Sequence, residues 1–171
     1  MRYCLLILSA LLVVSSCTKV EETKSKQEIL RESKWRLDAG FMHKKWKADG
    51  TIPSDIDNKE AILIAECAKD DLLVFRESND GAHVPGENTC SINETAEIQF
   101  RWGLTDNDSR MFIYDAKEFF KIDVNAELIE FYDDKFAIKF YEFKDKSVLM
   151  GDNPAVWLRD TTIYTMYFKK I

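Results

Sequence analysis

Polar and apolar residues alternate with a period of two along much of the chain. In "AEIQFRWGL", Ile98, Phe100, Trp102 and Leu104 fall on one side of an extended strand, with Glu97, Gln99 and Arg101 on the other. In "KFAIKFYEF", Phe136, Ile138 and Phe140 share a face against Lys139, and in "IYTMYFKKI", Tyr164, Met166 and Phe168 alternate with Thr165, Tyr167 and Lys169. Such alternation predicts strands with one buried face. Turn-forming residues separate the runs: "SNDG" after Phe75, "TDNDS" before Met111, "DD" at Asp133 and "GDNP" at Gly151. Asn, Asp and Gly tolerate the positive φ that tight hairpins need. Strands of this length at this spacing predict an all-β antiparallel meander closing as a barrel or sandwich. A short helical turn in "QEILRESKWRL" precedes the first strand. Ala61–Ile64, in "DNKEAILIAECAKDD", fits a buried strand or a short helix, and "HKKWKADGTIPSDID" reads as a long loop.

The N-terminus breaks this pattern. Arg2 precedes an apolar run from Leu5 to Val14, followed by Ser15, Ser16 and Cys17. The run is too short for a spanning helix, which needs about 20 residues, and reads as a secretory signal. With Cys17 directly after "VVSS", it resembles a bacterial lipobox. That resemblance implies that residues 1–16 are removed, that Cys17 carries the lipid, and that residues 17–27 form a charged tether to a single domain over 28–171. Thr18, not Asp, follows the cysteine, which by resemblance to Gram-negative sorting rules implies the outer membrane. The expected location is therefore the cell envelope, with membrane contact through the N-terminal lipid anchor.

That compartment bears on the remaining thiols. Cys67 and Cys90 form a pair in an oxidising environment, where a disulfide is expected. The competing readings are a metal site drawing on Cys67, Cys90, His83 and Asp70, which matches no zinc spacing, and a nucleophilic cysteine served by His43 or His83. The net charge is −6, and loss of Arg2 makes it −6 − 1 = −7 for the mature chain. That balance argues against nucleic acid and against charge-driven binding to anionic lipid. No nucleophile elbow, phosphate loop or metal motif appears, so neither enzymatic activity nor a cofactor or metal is expected. His83 reads as an exposed loop residue, "DNDS" as a hairpin turn, and Asp70 and Asp71 as backbone-bonded residues at a strand entrance.

Several short motifs together resemble one family: "ILRESKWRL" with Trp35, "CAKDDLLVF" with Cys67, Lys69, Asp70, Asp71 and Phe75, Cys90 in "ENTCS", Trp102 and Leu104 in "FRWGLTDNDSRMFIY", and "LIEFYDDKFAIKFY". Across about residues 28 to 143 the chain is similar to the lipocalin-like lipoproteins of Bacteroidetes-type bacteria. The resemblance implies an up-and-down β-barrel of about eight strands. The Gly-x-Trp of true lipocalins is absent, "SK" preceding Trp35, and an aromatic strand is added at the C-terminal end. Phe100, Trp102, Phe136, Ile138 and Phe140 would line the barrel, either around a small apolar ligand or as a packed core. A ligand carrier requires a cavity open at one end. The alternative, an interaction module for an envelope protein partner working through loops such as 43–60, requires a filled barrel and an exposed apolar patch.

Overall fold

The computed structural model describes residues 23–45, 60–90, 97–120, 122–148 and 156–171. It is an antiparallel barrel in which nine strands form one sheet. β1 (Lys34–Lys45) pairs with β9 (Val156–Lys170), and between them β3 (Leu72–Phe75), β4 (Asp80–Val84), β5 (Ile98–Thr105), β6 (Arg110–Tyr114), β7 (Val124–Phe131) and β8 (Lys135–Val148) follow in chain order. Eight strands thus close the barrel. β2 (Glu60–Ala61) lies outside the ring, paired to Phe41 and Met42 of β1. The all-β barrel expected from the alternation is present. The "GDNP" turn, residues 46–59 of the loop expected over 43–60, Cys17 and the signal lie outside the described residues; His43–Lys45 of that loop belong instead to β1, and Glu60 to β2.

The alternation explains the strands. Phe100 and Trp102 on β5, Phe136, Ile138 and Phe140 on β8, and Phe168 on β9 all point inward and keep at most 2% of their surface. The intervening Gln99 and Arg101 are exposed. Register follows, because a slip by one residue would turn each of these rings into water. The β5–β6 hairpin turns at Asp106, Asn107 and Asp108, with φ of 53°, 55° and 59°. Three successive left-handed residues suit Asn and Asp, whose short polar side chains lower the cost of αL. Gly81 is needed for a different reason: it faces Phe100 across the β4–β5 pair, and a Cβ there would lie 2.6 Å from that ring's Cζ.

Two short helices close the barrel. α1 (Lys26–Arg31) begins with a capping box: Ser25 Oγ accepts the Glu28 N–H, and the Glu28 carboxylate accepts the Ser25 N–H at 2.7 Å. This satisfies two of the unpaired donors at the helix start. Leu30 then buries its side chain completely, and its carbonyl accepts the Trp35 indole N–H at 3.0 Å. α2 (Lys117–Phe120) joins β6 to β7 at the other end. Its Phe120 reaches inward to within 6.1 Å of the Phe140 ring and 6.5 Å of the Phe168 ring.

Two expectations need correction. Ala61–Ile64 is neither a buried strand nor a helix: only Glu60 and Ala61 pair, and Leu63 is 94% exposed. Among the described residues β2 pairs with β1 alone. His83, expected in an exposed loop, lies on β4 and keeps only 4% of its surface. It shares the inward face with Leu73, its register partner on β3. A strand of only five residues starting at Asp80 carries the histidine inside, where local turn chemistry suggested a loop.

Candidate functional site

The five residues proposed to line the interior do meet there. Phe136 stacks on Phe168 at 4.7 Å, meets Trp35 edge-on at 4.9 Å and approaches Phe75 at 6.1 Å. Phe75 in turn contacts Phe100 and Trp102 at 5.8 and 4.9 Å. The Trp102 indole N–H donates to the Asp80 and Arg76 carbonyls at 2.7 and 3.2 Å. A side chain bordering a void wide enough for water would retain accessible surface. Phe100, Trp102, Phe136, Ile138 and Phe140 retain 1, 1, 2, 0 and 1%. Around these rings the interior is packed, with α1 closing it at one end and Phe120 entering from the other. Occlusion loosens toward the α2 end, where Met166 keeps 7% and Tyr164, Ile62 and Phe119 are half-buried.

Polar groups at that end are tied to structure. The Tyr164 hydroxyl donates to Glu142 at 2.9 Å, and Lys144 pairs with the same carboxylate at 3.1 Å. Burial, then the hydrogen bond and charge of Glu142, push the Tyr164 phenol up to about 12. His83 Nε2 lies 2.9 Å from Asp71 Oδ2, and Asp71 Oδ1 accepts the Gly86 N–H at 2.9 Å. If Nε2 carries the proton, His83 Nδ1 is an acceptor, and it is buried without a partner among the described residues. Asp70 accepts from the Asn88 backbone and side chain. The two aspartates therefore bind backbone, as expected, but across 15 and 18 residues rather than locally. They tie the entrance of β3 to the segment after β4.

The same two segments are joined covalently. Cys67, in a single 3₁₀ turn over Glu66–Ala68, is disulfide-bonded to Cys90, with Cα atoms 5.0 Å apart. Both thiols are thereby removed as nucleophiles or thiolate ligands. The two histidines lie apart: His83 faces the interior, whereas His43 lies on the outer face of β1, opposite Ile163 of β9.

A groove of about 510 Å³ crosses the outside of the barrel over β7, β8, β9 and β1. Tyr167 and Phe41, edge to face at 6.0 Å, form one wall. Charged groups surround them: Glu130, Asp134 and Asp38, with Lys135 and Lys169. This groove is not evident from the inward positions of the alternation, which carry the large rings. The signal available was the polar half of the same alternation, "Lys135–Ala137–Lys139" and "Thr165–Tyr167–Lys169".

The chain matches no protein-family model, no curated protein and no solved structure.

Proposed function

We propose that this chain is an envelope lipoprotein, anchored to the outer membrane through Cys17, whose lipocalin-like barrel is a solid, non-catalytic scaffold for a protein partner. The observation supporting this reading is the occlusion of the interior: Phe100, Trp102, Phe136, Ile138 and Phe140 keep no more than 2% of their surface, so they fill the barrel instead of lining a cavity. Binding then falls to the outside and to the loops at the α2 end. Leu63, 94% exposed beside β2, and the parallel Tyr141 and Phe143 rings on the outer face of β8 offer apolar contact there. The envelope location rests on the sequence resemblance at Cys17.

A second reading has its own support. The half-buried Tyr164, Ile62 and Phe119, with Met166, suit a shallow seat for a small apolar ligand at the α2 end. Native mass spectrometry of protein extracted from the envelope separates the two. Bare protein, together with photo-crosslinks from position 63 or 143 to another envelope protein, supports the scaffold. A stoichiometric added mass released by organic solvent would refute it in favour of the ligand. Intact mass tests the anchor: an acylated Cys17 is expected, and an unmodified one would overturn that part.

A further inference from the structure

The outer groove carries an inference about the membrane itself. Strand register places Lys135 of β8, Lys169 of β9 and Arg36 of β1 side by side: Lys135 pairs with Lys169, and Lys169 with Arg36. All three alternate with inward aromatic or apolar neighbours, so they share the outer face. Directly opposed like charges on neighbouring strands are ordinarily destabilising. The arrangement is only partly relieved: Asp38, at the β1 bulge, pairs with Lys169. Lys135 lies 4.8 Å over the Tyr132 ring, and neither it nor Arg36 has a carboxylate partner among the described residues. Glu130 and Asp134 line the same groove, likewise without an ion partner among the described residues. Charges of both signs thus border an apolar floor that includes Ala39, Phe41 and Tyr167.

We infer that this groove binds the phosphoethanolamine headgroup of a membrane lipid. The phosphate would sit on the Lys135–Lys169–Arg36 row, and the primary ammonium would reach Glu130 and Asp134. A zwitterion matches both edges at once, whereas a purely anionic headgroup would meet the two carboxylates and a chain of net charge −7. The position suits a bilayer. α1 closes the end of the barrel where this row lies, and Ser25 is eight positions beyond Cys17. At about 3.5 Å per residue that tether cannot exceed roughly 28 Å. The inference rests on the anchored-envelope reading for its bilayer. Its chemistry rests on the groove alone.

The test uses the mature chain, residues 17–171 with Cys17→Ser so that no acyl chain contributes, in flotation assays with vesicles. Three compositions are compared: phosphatidylcholine alone, an equal mixture with phosphatidylethanolamine, and phosphatidylcholine with one-fifth phosphatidylglycerol. Binding to the ethanolamine vesicles is expected to be at least tenfold tighter than to the other two. The choline headgroup has the same charges but no N–H to donate to Glu130 and Asp134. K135Q and R36Q should each weaken that binding about fivefold, and E130Q should abolish the preference for ethanolamine over choline. Near-UV circular dichroism verifies that each variant folds. Equal binding to choline and ethanolamine vesicles, strongest binding to the glycerol-containing ones, or indifference to K135Q and R36Q would each overturn the inference. An unacylated Cys17 in envelope material would remove the anchor and leave the vesicle result standing by itself.

Discussion

Replacing Phe136 by alanine distinguishes a packed barrel from a hollow one. Phe136 is 2% exposed and has four aromatic neighbours within 6.4 Å: Phe168, Trp35, Phe75 and Phe131. Truncating a buried phenylalanine costs about 3–5 kcal/mol when the surroundings cannot collapse into the space. Collapse is resisted here, because the neighbouring rings are held by strands on opposite sides of a closed barrel. Lost ring–ring contacts contribute about 0.5–1.5 kcal/mol per pair. Phe136→Ala should therefore lie near the upper end of that range, at about 4–5 kcal/mol. Phe168→Ala should cost about as much, and the double variant should cost roughly 1 kcal/mol less than the sum, since the stacked pair is lost only once. Urea unfolding of the oxidised protein, followed by tryptophan fluorescence, measures all three. Phe136→Leu provides a milder variant if the alanine form does not fold. A loss below about 1.5 kcal/mol for Phe136→Ala would mean that the ring borders empty or solvent-filled space, and the solid-scaffold argument would fail.

Four further outcomes are expected. Cys67→Ser with Cys90→Ser opens a crosslink spanning 23 residues, and loop-closure entropy puts the loss at about 3.4 kcal/mol in the same urea assay. Ser25→Ala removes the α1 cap and should cost about 1 kcal/mol, without changing near-UV circular dichroism. The Glu28 carboxyl is held below its ordinary range by hydrogen bonds from Ser25, and Glu97 by Arg76. Their contributions are present above the unfolded value near 4.5 and are lost as pH falls through the lower folded values, so urea midpoints should drop below about pH 4.5 and E28Q should flatten that drop. Tyr164, raised to about 12, keeps its proton in the fold after an unfolded tyrosine has ionised. Stability should accordingly fall as pH rises from about 10 to 12, and ultraviolet titration should show this phenol ionising above pH 10, with Y164F removing that component.

The elements visible in the sequence were those where burial alone sets the pattern. β5, β8 and β9 each present every second residue to the core, and Phe100, Phe136 and Phe168 identify them. Hairpin turns were visible because positive φ selects Asn and Asp at 106–108. Elsewhere the decisive neighbours are distant in sequence. His83 is interior because β3 and β5 flank it and Asp71 accepts from its ring, and none of this is encoded within "DGAHVPG". Ala61–Ile64 has the composition of a buried strand, yet only Ala61 joins the ladder, with the Ile62 N–H bonded to the Gly40 carbonyl beyond it. Phe120 plugs the barrel from a four-residue helix too short to leave a periodic signature. The outer groove was hidden for a related reason: Lys135, Lys169 and Arg36 are separated by up to 133 positions and become neighbours only when β1, β8 and β9 align.

The β1–β9 seam has a consequence for biogenesis. The first long strand takes as its partner the last one, so more than a hundred intervening residues must be delivered before the ring can shut. Contacts of such large sequence separation slow folding. Until β9 arrives, β1 and β8 both present unsatisfied edges able to recruit strands from other chains. A polypeptide emerging from its N-terminal end passes through this open-edged stage each time it is made. Its vulnerability to aggregation should accordingly be greatest before β9 is delivered, and a chain truncated before Val156 should need a holding chaperone where the whole chain does not.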